Sequence, residues 1–250
     1  MSGAVSAAGR GHRVVTPERF AAGMTFDHYM EFIGTPENLA REAGWWRGRE
    51  RMDWSGPLRK WYETLQLRDD QVAAIRWLAA QPKGPAKILM ISEEWSSDCR
   101  RVIPMLGRLA EAAPLELRIF PRDGQRVGRG PKADPAESPN ADLMNEFLRE
   151  RDGRTYQSIP VVVFYTRDLE YLYHYTELPA LFPRDRLVPA MQAARPGETR
   201  EQAWERFLRD WGAMQQSPFF KVWASAAIDE MLSALYEQRV LGALPDPRWA

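Results

Sequence analysis

Apolar positions recur at helical spacing through most of the first 80 residues. Phe26, Tyr29, Met30 and Ile33 form one stripe. Leu58, Trp61, Tyr62 and Leu65 form a second, and Val72, Ile75, Leu78 and Ala79 a third. Thr16-Pro17-Glu18 and Thr35-Pro36-Glu37 are two similar helix starts. Each sets a capping hydroxyl before a proline whose missing N–H costs nothing at the first helical position, then an acid facing the positive end of the helix dipole. Gln81-Pro82-Lys83-Gly84-Pro85 breaks the pattern and reads as a linker.

The period then changes. Residues 87–91 are a short continuous apolar run, the mark of a buried strand. Residues 92–98 are polar, and Cys99, Val102, Ile103, Leu106, Leu109 and Ala110 return to helical spacing. Residues 115–120 predict a second strand, and 121–140, rich in proline and glycine, a loop. Leu143, Met144, Phe147 and Leu148 mark a short helix. Residues 159–165 and 169–175 predict two more strands about an Arg167-Asp168 turn. Strands alternating with helices imply a parallel βαβ core, which the closing hairpin makes a mixed sheet. After Pro179 the chain turns helical again, around 200–212 (Ala203, Trp204, Phe207, Leu208, Trp211) and 219–237 (Phe219, Phe220, Trp223, Ala227, Met231). The organisation predicted is a disordered N-terminus over 1–15, a helical extension over 16–84, an α/β domain over 85–178 and a helical C-terminal extension over 179–250 packing on that core.

Composition narrows the function. Hydrophobic residues at 44% and charged residues at 27% are an ordinary globular balance. Lys+Arg and Asp+Glu both number 34, so there is no basic excess to hold nucleic acid or a membrane surface, and neither partner is expected. No apolar run is long enough to span a bilayer. Residues 1–11 are Gly/Ala-rich and lack the apolar segment of a secretory signal. One cysteine excludes an internal disulfide, so a reducing, cytoplasmic setting is expected. His12, His28 and His174 are scattered, His174 on a strand face, and no Cys or His pair has metal-ligand spacing. No Gly-rich phosphate motif occurs. No metal and no cofactor are expected.

The chemistry concentrates at Trp95-Ser96-Ser97-Asp98-Cys99, where the first strand gives way to a helix. Pro104 follows Cys99 by five residues, and Ile159-Pro160 opens a later strand. In that element order the chain resembles the thioredoxin superfamily. Residues 96–99 stand where the family places Cys-x-x-Cys, Pro104 where it has a helix-kinking proline, and Pro160 where it has the cis-proline facing the motif. Ile91-Ser92-Glu93-Glu94, Arg100, Arg101, Ile103, Asn140, Asp142-Leu143-Met144 and Ser158 look like a bacterial branch, called simply thioredoxin family proteins, that usually carries Trp-Cys-Gly-Asp-Cys. The resemblance implies a thioredoxin-like α/β fold, a central mixed sheet flanked by helices. It is weaker evidence for activity, because fold does not imply function.

The resemblance puts Ser96 in place of the family's attacking cysteine and Cys99 in place of the resolving one, one turn into the helix and facing inward. Thiol–disulfide exchange needs a thiolate, and a hydroxyl without an adjacent base cannot replace it. Three readings stay open for Cys99 and Ser96. Cys99 packs as a small hydrophobe; Cys99 is a monothiol nucleophile forming mixed disulfides with glutathione or a protein thiol, which makes the chain an atypical oxidoreductase; or Ser96 hydrogen-bonds a thiolate that a ligand brings. The alternative function is a redox-inactive binding protein. In the family the backbone of the residue before the cis-proline, here Ile159, pairs with an extended peptide, a mode that survives loss of redox chemistry. The substrate groove then comprises Trp95, Asp98, Ile159 and Pro160.

Asp98 reads as an acid favouring the helix dipole, or as a proton shuttle whose charge raises the Cys99 pKa. Arg100 and Arg101 push the other way, bind an anionic ligand, or are solvated on a helix surface. Arg122, Arg126, Arg129 and Lys132 make the 121–139 loop basic: a flexible surface loop, or a lid for an anionic partner. Trp45-Trp46-Arg47-Gly48-Arg49 reads as an exposed patch or as a cover for the core.

Overall fold

The two Thr-Pro-Glu starts fold as local chemistry dictates. In a computed structural model describing residues 15–41 and 51–243, Thr16 Oγ1 accepts from the Arg19 N–H at 3.1 Å and caps α1 (Pro17–Ala21). After α2 (Phe26–Phe32), Thr35 Oγ1 accepts from the Asn38 N–H at 3.2 Å and caps α3 (Pro36–Ala40). The second and third apolar stripes become α4 (Ser55–Thr64) and α5 (Asp69–Ala79). The Trp45–Arg49 patch, His12 and the expected disordered start lie outside the described residues, apart from Val15.

The predicted strand–helix alternation follows: β1 (Lys87–Ser92), α6 (Ser97–Ala112), β2 (Glu116–Pro121), α7 (Ala141–Glu146), β3 (Arg149–Arg151), β4 (Arg154–Tyr156), β5 (Val161–Tyr165) and β6 (Tyr171–Thr176). The main sheet runs β2-β1-β5-β6. β1 is parallel to β2 and antiparallel to β5, and β5 is antiparallel to β6. Ile88, Leu89, Met90 and Ile91 of β1 are fully buried, which explains a continuous rather than alternating apolar run. This is an α/β, thioredoxin-like fold: a central mixed sheet flanked by helices, with helical extensions.

Met24 exchanges both backbone hydrogen bonds with Ile119, at 2.9 and 2.8 Å, so the N-terminal region pairs with the outer side of β2 at the sheet edge. Gly23 permits this approach, since a Cβ there would stand 2.5 Å from the Phe120 ring. At the C-terminal end come α8 (Arg184–Gln192), α9 (Arg200–Gln216) and α10 (Pro218–Ala243). α10 packs against α5, α6 and β6. One hydrophobic core runs from Phe20 and Tyr29 through β1, α6 and β5 to Ile228 and Met231.

Two details depart from the sequence pattern. α7 ends at Glu146, and the short hairpin of β3 and β4 follows where helix was expected to continue through Phe147 and Leu148. Its signal is Asp152-Gly153, both in the left-handed region at φ 52° and 71°, as a tight hairpin turn requires. α8 falls within the helical extension expected over 179–250 but is not marked there as a separate helix. It buries no residue, so no apolar stripe marks it.

Candidate functional site

β1 delivers the chain to Ser92, and residues 93–95 turn it into α6. Ser96 is the N-cap of α6, its Oγ accepting from the Cys99 N–H at 3.5 Å. One turn in, Cys99 is fully buried, with the Glu93 N–H directed at its Sγ at 3.5 Å. Burial, reinforced by the charge of Asp98, pushes the thiol up to about 12, against the hydrogen bond from Glu93.

Arg100 and Arg101 are not solvated. They are 4% and 3% exposed, because the N- and C-terminal regions cover this face of α6. Arg100 Nη1 donates to the carbonyls of Glu94 and Trp95 at 2.9 and 2.7 Å, and Nη2 to Gln215 Oε1 of α9. Its guanidinium stacks 3.6 Å over the Trp54 ring. Burial lowers its pKa to about 10. Arg101 Nη1 pairs with Asp98 Oδ1 at 3.0 Å and lies 4.5 Å over Phe182. Both arginines fasten the flanking helices to the motif.

Behind the motif lies a buried ionic cluster that sequence reasoning missed. Glu93 Oε2 receives Arg51 Nη2 at 2.7 Å and Arg41 Nη2 at 2.9 Å. Glu93 Oε1 accepts from the Asp123 N–H at 2.8 Å. Glu94 Oε1 receives Asn38 Nδ2 at 2.9 Å and Arg51 Nε at 3.1 Å. Asp123 in turn takes Arg122 at 2.7 and 2.9 Å and the Trp95 indole N–H at 3.2 Å. Burial raises the pKa of Glu93, with Arg41 opposing it. Three arginines balance three carboxylates here, as full burial requires. Nothing in the local pattern reveals the cluster, because its members are residues 38, 41, 51, 93–94 and 122–123, which meet only through the fold.

A cleft of about 690 Å³ opens beside the motif. Trp95, Ser96 and Asp98 form one wall, the loop around Gly128 and Arg129 another, and the hairpin around Arg154 and Tyr156 a third. Ile159 lines it next to Pro160, and the bond between them is cis. Among the described residues, the Ile159 N–H and C=O carry no hydrogen bond. The structure thus brings Trp95, Ser96, Asp98 and Ile159 together. Cys99, Arg100 and Arg101 lie outside the cleft lining.

Arg122, read as a loop cation, is buried at the base of this wall and donates to the Gln157 carbonyl at 2.8 Å. Arg126 is exposed and faces Glu137 at 3.7 Å. Lys132 is exposed. The loop they belong to closes on itself through Gly124 N–H to Glu137 O at 2.9 Å. His28 is exposed on α2, and His174 stands on β6 with Nδ1 2.7 Å from the Tyr171 hydroxyl. Among the described residues no group of His, Cys, Asp and Glu could hold a metal, and no helix is long and apolar enough to cross a membrane.

A family model described as "Thioredoxin" matches residues 49–127, from upstream of the linker through α4, α5, β1, α6 and β2. Together with the sheet order and the N-capped motif, the match supports a thioredoxin-like domain. No curated protein matches the chain. Among solved structures, a protein of unknown function from Pseudomonas aeruginosa is 15% identical at a TM-score of 0.48, covering 87% of this chain and 95% of that one. An HIV epitope-scaffold is 16% identical at a TM-score of 0.46, covering 88% and 96%.

Proposed function

We propose that this protein is a thioredoxin-fold binding protein without thiol–disulfide activity, and that its cleft beside Ile159 and Pro160 takes an extended peptide. The observation that carries the reading is the complete burial of Cys99, a thiol with no second cysteine to pair with. Exchange requires a thiolate in contact with a disulfide. A thiol held up to about 12 is ionised in about one molecule in 10⁵ at neutral pH. The position lining the cleft is instead Ser96, whose hydroxyl has no His or Lys near it in sequence and serves as a helix cap. Peptide binding needs no thiol. Among the described residues the Ile159 N–H and C=O carry no hydrogen bond, so they can extend a backbone ladder to an incoming strand, with Trp95 and Tyr156 offering side-chain contact. The cytoplasm suits a chain with one reduced, buried cysteine.

Intact-mass detection of alkylation tests this directly. Iodoacetamide is expected to label Cys99 only after denaturation, and oxidised glutathione to leave no adduct on the native protein. A glutathione adduct on the native protein, with labelling at a midpoint below about 8.5, would restore the monothiol oxidoreductase reading.

A further inference from the structure

We infer that Gln157 is a positioning residue of the cleft: it holds the loop wall fixed, so that a peptide meets a preformed site. The inference rests on the peptide-binding reading and adds how the chain maintains that site. The loop needs a hold from outside. Among the described residues, none from 125 to 133 makes a backbone–backbone hydrogen bond, so no secondary structure fixes the stretch. Ordering it costs conformational entropy at every residue, which other contacts must offset. Side chains of neighbouring segments supply them. Asp123 Oδ1, just past β2, accepts from the Gly128 N–H at 3.0 Å. Asn145 of α7 clasps Ala133 through both its N–H and its carbonyl, at 2.8 and 2.9 Å.

Gln157 holds the middle of the stretch. Its Nε2 donates to the carbonyls of Gly130 and Lys132, both at 2.9 Å. Thr155 of β4 takes the carbonyl between them, its Oγ1 donating to Pro131 at 2.7 Å. Three successive loop carbonyls are thus bound by the segment that leads into Ile159. Gly128 packs directly on the Gln157 amide, since a Cβ there would stand 2.6 Å from Oε1. Gln157 is itself held: it is buried, and its own carbonyl accepts from Arg122 Nη1 at 2.8 Å. Gly128, Gly130, Pro131, Gln157 and Ile159 all line the cleft. One side chain therefore ties the segment that would pair with the peptide to the loop wall. A wall ordered before binding spares the complex the entropy of ordering it afterwards.

A displayed library of random ten-residue peptides, panned on the full chain, supplies the probe. Its best binder is measured by fluorescence anisotropy on the wild type, Gln157→Ala and Thr155→Val, with circular dichroism to check that each is folded. Gln157→Ala removes two hydrogen bonds to the loop and should weaken binding about tenfold. Thr155→Val removes one and should weaken it about threefold. Thr155 is only half-buried, so Thr155→Val carries the test if Gln157→Ala fails to fold. Hydrogen exchange at the Gly128 and Ala133 amides, the loop donors bonded to Asp123 and Asn145, separates positioning from simple support. In the wild type both amides should be protected with and without peptide. In the variants they should exchange faster when free and regain protection when peptide is bound, with β1 and β5 unchanged. Faster exchange with unchanged affinity would overturn the loop as a binding wall, and unchanged exchange would overturn the hold by Gln157. Either result leaves the peptide cleft standing. A library yielding no binder to the wild type would overturn the peptide-binding reading, and this inference with it.

Discussion

Cys99 keeps its proton because nothing near it replaces the solvation a thiolate loses. The unfolded thiol ionises near pH ~8.5 and the native one near about 12. Between those values the unfolded state holds fewer protons, so native stability is fully present below the lower value and falls as pH rises through the window. By about pH 10 the loss assignable to Cys99 is about 2 kcal/mol. Denaturation midpoints near pH 7 and near pH 10 should therefore show the wild type losing that much more than Cys99→Ala, with tyrosine titration common to both. Equal losses would mean that the thiol is solvated in the native protein. The inward aim of Cys99 was legible from its place on the apolar stripe of α6. The burial of Arg100 and Arg101 was not, because their covers, Trp54, Phe182 and Gln215, lie 46 to 115 residues away along the chain.

At the scale of elements, local chemistry was a faithful guide wherever it was complete. The Thr16 and Thr35 caps need partners only three residues on, so the sequence contains the whole interaction. The hairpin of β3 and β4 has no apolar alternation and is specified by its turn. Gly153 sits at φ 71° with open space around its Cβ position, so Gly153→Ala introduces a conformational cost and no clash. The cost is about 1 kcal/mol. Hydrogen exchange should show faster exchange confined to residues 149–156, with β1 and β5 unchanged. Faster exchange across the main sheet would mean that the hairpin supports the core and does not simply wall the cleft. α8 escapes sequence reading for the opposite reason to the hairpin: it has neither an apolar stripe nor a capping side chain, and its N-cap Pro183 makes no side-chain hydrogen bond.

At the scale of the molecule, the extensions are part of the core. Ile228 of α10 is fully buried, alongside Ala224, Ala227 and Met231, in the same cluster as β1 and α6. Ile228→Ala should cost about 3 kcal/mol and lower a single cooperative melting transition. A separate early transition, with the rest of the protein melting as before, would show that α10 is an independent layer. The amino-acid sequence by itself determined what short-range physics controls: the helical stripes, the buried run of β1, the two Thr-Pro caps, and the order of strands and helices that makes a mixed α/β sheet. It also placed Ser96 at the mouth of α6 and Cys99 behind it. Only the tertiary structure decided which charges are solvated. Glu93, Glu94, Arg41, Arg51, Arg122 and Asp123 all look like surface residues in the chain, and each is buried because the others neutralise it. The same holds for the cleft, whose lining comes from residues 95, 96, 98, 122, 128–131, 153–159, 177 and 184. Burial and pairing of that kind are set by contacts between distant segments.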